Sequence, residues 1–304
     1  MSILCGITIL VIVLIILILL IGFFLHYEIP RYLNACNATK VDLNNLDYYY
    51  RHKEHVTQSS RVVITLTTIP DRIDKLIPCL YSLLSQTKRV DCIYINVPYI
   101  SLKGKAYRVP KWLNNLHNIK IRRVIKDWGP SCKLLPTAQV ESSDTNIIVV
   151  DDDIIYGSRF VESITYTFNL FRGGAAITNY GSIIGDSTTN TIYNYLFNSS
   201  TINCPHKLNL LFGCGGYMLR NDMLPSEVFD YKSAPKEVVY VDDNWISGWL
   251  TVNNINIYSM GSKWKASFLP SPDCFATISL SSEYNSDGHN AYITNNWFRS
   301  KGIW

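Results

Sequence analysis

An apolar run that ends in three aspartates constrains this chain most strongly. The run from Ile147 to Val150 contains only Ile and Val, and Asp151, Asp152 and Asp153 follow it directly. Such a run predicts a buried strand, and crowded carboxylates at its end raise one another's pKa unless a cation neutralises them. Hard oxygen ligands favour Mg²⁺ or Mn²⁺. The sequence therefore predicts a metal site at the carboxyl end of a strand; a solvated acidic loop and a structural calcium site are the alternatives.

The N-terminal segment has the composition of a membrane anchor. Ile3 to Leu25 contains no charged residue, and roughly 20 apolar residues cross a bilayer as a helix. A cleaved signal peptide has an apolar core of about 7–15 residues followed by small residues at the cleavage site. This run is longer, and the segment Phe23 to Tyr27 has no such site. We therefore expect residues 1–25 to be an uncleaved transmembrane anchor.

The remaining residues are expected to form a stem and one domain. Residues 26–60 contain Asn and Tyr clusters without a clear period, which is typical of a stem. Residues 61–304 have the length of one sizeable domain. The net charge of +4 is modest, and no basic run or stripe is present. We therefore exclude nucleic acid as a partner.

The two cues to membrane sidedness disagree. Basic residues, such as Arg31 and Lys40, follow the anchor and none precedes it, which favours a cytosolic body. The sequons that begin at Asn37 and Asn198 favour a Golgi or ER-type lumen, which we slightly prefer. Seven cysteines lie outside the anchor without a Cys-x-x-Cys pattern. Buried free thiols are expected, with one or two lumenal disulfides as the alternative.

The order of elements predicts a mostly parallel α/β sheet. Predicted strands alternate with helical segments, and ligands of such sheets bind outside the carboxyl ends of the strands. Leucines at helical spacing predict a helix over Asp71 to Ser85, and a second is predicted over Ser158 to Phe171. The predicted strands are Arg61–Leu66, Cys92–Val97, Lys120–Val124 and Asn146–Val150. Tyr180 to Cys204 is expected to be irregular or hairpin-like.

Lys133 is the candidate cation nearest in sequence to the aspartates. It could offer a point charge to a diphosphate, and Ser131 has the side chain of an N-cap for a short helix that would favour an anion. A turn followed by an ordinary surface lysine is an equally good interpretation.

Three further segments carry candidate residues. Asp242 and Asp243 open an amphipathic segment, where they either stabilise a helix N-terminus or take a proton from an acceptor hydroxyl. The glycines from Gly213 to Gly216 would let the backbone approach a ligand, or would mark a turn. His289 lies in a predicted loop, either as a metal or phosphate ligand or simply exposed.

These segments together resemble a glycosyltransferase of the GT-A fold, of the family-2-like type found among bacterial and large-virus polysaccharide enzymes. The resemblance covers Arg61 to about Leu250. It rests on the segments Ile64–Ile73, Ser82–Thr87, Gly129–Leu134, Asp151–Asp153 and Asp242–Gly248. The chain after Ser259 matches nothing in the family pattern.

The resemblance implies a metal-dependent sugar transfer from a nucleotide sugar, most simply a UDP-sugar, to a glycan or glycoprotein acceptor. Asp151 to Asp153 would be the DXD motif, with Asp151 and Asp153 chosen as the ligands of Mn²⁺ or Mg²⁺; the third aspartate leaves the metal-binding pair open. His289 lies outside the resemblance and is a candidate further ligand from its own chemistry alone. Asp243, with Asp242 as the second choice, would be the base of an inverting transfer; a retaining transfer is the alternative. By the resemblance, Thr67, Pro70 and Arg72 would line the nucleotide pocket. Lys133, Asp151 and Asp152 complete the candidate donor-binding residues, with Lys133 proposed from its charge and Asp152 as a possible partner of a sugar hydroxyl.

Two alternatives belong to other classes. An aspartyl-phosphate phosphatase also places Asp-x-Asp after an apolar strand, but usually after the first strand of its domain, whereas three strands are predicted earlier here. A membrane-anchored carbohydrate-binding or virion surface protein would keep the fold without catalysis.

Overall fold

A long apolar helix begins the structure. This computed structural model describes residues 3–184, 192–193, 204–260, 268–272 and 288–304. Helix α1 (Ile3–Phe23) contains no charged residue, and from Ile7 to Ile21 its large apolar side chains are exposed. Within the described residues it lies in the one helical stretch long and apolar enough to cross a membrane. The predicted apolar helix is therefore confirmed, and it is compatible with a membrane anchor.

The helix continues without a break beyond the apolar segment. A π-helical turn (Phe24–Glu28) leads into α2 (Ile29–Cys36), and α3 (Lys40–Tyr50) follows after a short turn. Helix α3 begins with a capping box, in which Thr39 Oγ1 accepts a hydrogen bond from Asp42 N and Asp42 Oδ2 accepts one from Thr39 N.

Both of these helices pack on the body of the protein. Ala35 of α2 and Leu43 of α3 are completely buried, and the Tyr50 hydroxyl accepts a hydrogen bond from Val90 N at 3.0 Å. Asp47 accepts hydrogen bonds from the backbone just before the third strand. The segment expected to be a stem is thus fixed to the domain that follows it.

The centre of the body is a mixed sheet with a parallel half. Thirteen described strands are β1 (Val62–Thr67), β2 (Cys92–Pro98), β3 (Ile119–Val124), β4 (Asn146–Val149), β5 (Ile154–Tyr156), β6 (Ala176–Thr178), β7 (Gly181–Ile184), β8 (Ile192–Tyr193), β9 (Lys207–Leu208), β10 (Leu210–Leu211), β11 (Tyr217–Arg220), β12 (Ile257–Ser259) and β13 (Phe268–Pro270). Eight of these described strands form the sheet in the order β3-β2-β1-β4-β11-β6-β12-β9. Strands β1 to β4 are parallel neighbours, whereas β11 runs antiparallel to β4 and β6.

Helices cover this sheet because its central strands are apolar on both faces. All four residues of β4 are buried, as are the first five of β1, and a strand buried on both faces needs a layer on each side. The remaining described helices are α4 (Ile77–Leu84), α5 (Leu135–Ala138), α6 (Phe160–Leu170), α7 (Asp242–Val252) and α8 (His289–Arg299). The predicted mostly parallel α/β architecture is confirmed.

The predicted helix over Asp71 to Ser85 is too long. The structure has a single 3₁₀ turn at Ile73–Lys75, and α4 begins only at Ile77. The reason is Pro78, which lacks an N–H and is tolerated in the first turn of a helix but not in its interior. The periodic leucines are nevertheless buried as expected.

The other local predictions agree better with the structure. The predicted helix after the aspartates is α6, followed by a left-handed Gly173. Most of the segment Tyr180 to Cys204 lies outside the described residues. The seven described cysteines are all free thiols.

Candidate active site

The three aspartates lie at the carboxyl edge of the parallel strands. They follow β4, which pairs in parallel with β1, so the ends of both strands meet at this edge. Asp151 N donates a hydrogen bond to the Tyr156 hydroxyl at 2.9 Å, and Asp153 O accepts one from Ser271 N at 2.7 Å. The backbone of the triplet is therefore fixed on both sides.

Lys133 connects the aspartate triplet with a second acidic pair. Its Nζ lies 2.9 Å from Asp151 Oδ1, 2.9 Å from Asp242 Oδ2 and 3.8 Å from Asp243 Oδ1. The side chain is only 7% exposed, which excludes an ordinary surface lysine. Burial alone would lower the pKa of Lys133, but the three carboxylates outweigh it and hold this pKa well above its usual range. Lys133 is therefore a buried ammonium ion.

Helix α7 supplies the second acidic pair. Asp242 and Asp243 are its first two residues, where the unpaired N–H groups of the helix favour negative charge. Asp243 Oδ1 also accepts a hydrogen bond from Gly213 N at 3.0 Å. The predicted helix start is confirmed, and its carboxylates reach the same edge as the triplet.

Gly213 makes this approach sterically possible. A Cβ atom at this position would collide with Lys133 Nζ and lie 3.0 Å from Asp151 Oδ1. The glycine-rich segment was recognisable in the sequence, but its position against Lys133 was not. Because the glycine has no side chain, its N–H can reach Asp243 while Lys133 stays between the carboxylates.

Arg72 is the second cation of the site. Its terminal nitrogens lie 2.8 Å from Asp152 Oδ1 and 2.7 Å from Asp153 Oδ2. The loop that carries it starts at the carboxyl end of β1, where Thr68 O accepts a hydrogen bond from the buried Tyr107 hydroxyl at 2.9 Å. Arg72 thus joins the loop after β1 to the triplet after β4.

Among the described residues, the site has more carboxylates than cations. Two cations of this part of the chain, Lys133 and Arg72, face the five carboxylates of the triplet and of the pair in α7. Burial, opposed by Arg72, raises the pKa of Asp152 to about 7. Burial and the neighbouring Asp242 raise the pKa of Asp243 to about 8, against the attraction of Lys133. This imbalance favours a further cation or bound protons.

The donor atoms fit a hard divalent cation held by few protein ligands. The described residues contain no group of three His, Cys, Asp or Glu side chains arranged around one ion. Asp152 Oδ2, however, is buried and accepts no hydrogen bond from a described residue. Oxygen ligands and excess negative charge suit Mg²⁺ or Mn²⁺, which can bind through one or two carboxylates with substrate phosphates as further ligands.

The remaining candidate residues are Thr67, Pro70 and His289. Thr67 ends β1 and its Oγ1 donates a hydrogen bond to Asn96 O at 2.8 Å. Pro70 lies half-buried in the loop between β1 and Arg72. His289 is the first residue of α8 and is exposed, and it does not form a three-residue ligand group with described acidic residues.

The predicted capping role of Ser131 is wrong. Ser131 lies inside the 3₁₀ helix Gly129–Lys133, whose cap is Trp128 without a side-chain hydrogen bond. The Ser131 hydroxyl instead accepts a hydrogen bond from the Tyr231 hydroxyl at 2.7 Å. The local sequence could not reveal this because Tyr231 is distant in the chain.

A scan of the chain against protein-family models found no match, and a search of curated proteins found none either. Function is therefore inferred from the arrangement of the residues themselves.

Proposed function

We propose that the protein is a GT-A type glycosyltransferase that transfers a sugar from a nucleotide-sugar donor, a UDP-sugar, to a hydroxyl of a glycan or glycoprotein. The observation that carries the proposal is Lys133, whose Nζ lies within 3.8 Å of Asp151, Asp242 and Asp243. In a metal-dependent transfer of this kind, one set of carboxylates holds the metal that binds the leaving diphosphate, and another carboxylate takes the proton of the attacking hydroxyl. The carboxylates around Lys133 are candidates for both roles, and they lie at the carboxyl edge of the parallel strands, where ligands of such folds bind.

The triplet is the proposed anchor for the donor diphosphate. Asp151 and Asp153 would hold Mn²⁺ or Mg²⁺, which when bound offsets the charge that develops on the departing nucleoside diphosphate. Arg72 orients Asp152 and Asp153 through its two short contacts. The loop from Thr67 to Arg72 is the proposed wall of the nucleotide pocket.

Asp243 is the proposed base. It would accept the proton of the acceptor hydroxyl while the acceptor oxygen bonds to the anomeric carbon and the bond from that carbon to the diphosphate oxygen breaks. A raised pKa makes a carboxylate a better proton acceptor once it is ionised. Attack on the side opposite the leaving group would invert the anomeric centre. Lys133 holds Asp242 beside this base and keeps the pair of acidic sites together.

The test is metal-dependent release of UDP from a panel of UDP-sugars by the full chain in lipid nanodiscs. We expect turnover with Mn²⁺ or Mg²⁺, none with a chelator, and none in Asp153→Asn. Asp144→Asn is the matched control, because Asp144 is an exposed acid before β4, at the amino edge of the sheet. Turnover that survives both the chelator and Asp153→Asn would refute the metal site. Glycan binding without metal-dependent nucleotide binding would instead indicate a carbohydrate-binding protein.

A further inference from the structure

An ordered hairpin projects from the carboxyl edge of the sheet. It spans Tyr99 to Tyr107, directly after β2, and its arms are joined by a hydrogen bond from Tyr107 N to Tyr99 O at 3.2 Å. Its turn is closed by Ser101 N, which donates to Lys105 O at 2.8 Å, and Gly104 takes the left-handed conformation there with φ +74°.

The hairpin exposes a group of large apolar side chains. Tyr99, Ile100 and Leu102 are 54%, 57% and 51% exposed, and Ile125 is 92% exposed. Ile125 lies beside the start of the hairpin, because Tyr99 N donates a hydrogen bond to the carbonyl of the preceding residue, Val124. We call these four side chains the hairpin patch. Single exposed apolar residues are ordinary, but several at one edge of the sheet favour a surface that binds something apolar.

Basic residues surround the hairpin patch. Four lie on the hairpin or beside Ile125: Lys103, Lys105, Arg123 and Lys126. The Arg123 guanidinium lies 4.5 Å from the centre of the Tyr99 ring, and Lys105 pairs with Asp71. A second nearby acid, Asp127, accepts a hydrogen bond from Leu102 N at 2.7 Å, and Asp230 lies close enough to Lys126 to interact with its charge. Apolar side chains with lysine and arginine around them are typical of segments that lie on anionic membranes.

The helix after the apolar segment reaches the body near the same edge. Arg31 Nη1 donates a hydrogen bond to Ile155 O at 3.3 Å, and Ile155 lies two residues beyond the aspartate triplet. Arg31 lies six positions after Leu25, the last residue of the uninterrupted apolar run, which corresponds to a rise of about 9 Å in a helix. The carboxyl-edge side of the domain therefore lies close to the end of the apolar helix.

After Arg31 the chain passes to the opposite edge of the sheet. Asp47 of α3 accepts hydrogen bonds from His117 N at 2.7 Å and Asn118 N at 3.0 Å, immediately before β3 begins. These residues mark the amino edge of the parallel strands. After the apolar helix, the chain therefore contacts the carboxyl edge of the sheet before it reaches the amino edge.

We propose that the hairpin patch contacts the lipid bilayer that holds α1, with its apolar side chains in the interfacial layer and its basic residues on anionic headgroups. The proposal rests on the position of the apolar helix and not on the proposed sugar transfer. The contact presents the carboxyl edge, and the acidic site on it, to molecules that the membrane carries.

Photo-cross-linking of the full chain in nanodiscs of phosphatidylcholine and phosphatidylserine tests this contact. A benzoylphenylalanine is placed in separate variants at the positions of Ile100, Ile125, Val140 and Leu170, and phospholipid adducts are measured by mass spectrometry. Val140 and Leu170 are matched controls, because they are 54% and 55% exposed but precede β4 and β6 at the amino edge. All four positions are exposed, so the substitutions should leave the fold intact.

Lipid adducts at the positions of Ile100 and Ile125, with few at the two controls, are the expected result. Removing phosphatidylserine should lower their yield, because the basic residues lose their partners. Equal yields at all four positions, or none at the hairpin patch, would overturn the proposal. Adducts with a protein instead of lipid, in irradiated native membranes, would also overturn it. UDP release by the same variants stays a separate readout, so failure of the contact and failure of the sugar transfer are distinguishable.

Discussion

The ammonium nitrogen of Lys133 lies 2.9 Å from Asp242 Oδ2. Lys133 comes from the 3₁₀ helix before β4, whereas Asp242 opens α7 far along the chain. The contact brings the acidic start of that helix to the aspartate triplet. One buried cation thereby holds two acidic segments at one edge of the sheet.

Loss of this cation should destabilise the protein. In Lys133→Met the buried carboxylates lose their partner, and removal of one member of a buried ion pair costs about 3–5 kcal/mol. Thermal unfolding of the full chain in detergent, followed by circular dichroism, should show a clearly lower midpoint than the wild type. Lys111→Met is the control, because Lys111 is exposed. Equal midpoints in both variants would show that the Lys133 contacts contribute nothing to stability.

The two aspartates of α7 should differ in their effects. Asp243→Asn removes the proposed base but keeps a similar shape, so we expect UDP-sugar turnover to fall by about 10²–10⁴-fold with UDP affinity unchanged. Asp242→Asn weakens the contact with Lys133 and should also lower the unfolding midpoint. Steady-state kinetics and UDP titration separate these effects. A normal rate in Asp243→Asn would assign the base elsewhere.

The packing of α8 on α7 depends on Gly248. A Cβ atom there would collide with the ring of Phe298, which is completely buried. Gly248→Ala should therefore destabilise the protein by about 1–3 kcal/mol, the usual cost of overpacking. Chemical denaturation measures this loss. Combining the change with Phe298→Leu should relieve part of it, so additive losses in the double variant would contradict this contact.

Glu141 should contribute stability that depends on pH. Burial would raise the pKa of Glu141, but hydrogen bonds from Arg61 and the Tyr94 hydroxyl outweigh it and lower this pKa. A lowered folded-state pKa gives stability that is present above the unfolded value of about 4.3 and is lost as the pH falls through the folded value.

The unfolding midpoint of Glu141→Gln should therefore lie below that of the wild type at neutral pH and approach it in acid. The exposed Glu227 provides the control, Glu227→Gln, which should follow the wild type at every pH. A difference between Glu141→Gln and wild type that is constant with pH would contradict the lowered pKa.

The parallel half of the sheet could be predicted because its signals are local. Strands β1, β2 and β4 are short β-branched or apolar runs, β3 alternates Ile and Val with basic residues, and the acidic triplet after β4 marks the carboxyl edge by itself. The length of α4 was overestimated because leucine spacing outweighed Pro78, whose missing N–H sets the helix start. The packing of α2 and α3 was not foreseen, since residues 26–60 show no apolar period.

The site could be predicted only in part because its decisive contacts join distant segments. Asp151 could be identified because it follows a predicted strand. Asp243 could be identified because it lies at the start of a predicted amphipathic segment. Their shared partner Lys133, and the need for Gly213 beside it, depend on how β11 and α7 fold back against β4. No local pattern specifies such long-range distances.

Isothermal titration calorimetry of UDP into the full chain in nanodiscs tests the central claim most directly. We predict binding in the presence of Mn²⁺, loss of this binding when a chelator removes the metal, and loss again in Asp153→Asn but not in Asp144→Asn. No binding of UDP with Mn²⁺ present, or binding that is the same with and without the metal, would contradict a metal-dependent nucleotide-sugar site at the aspartate triplet.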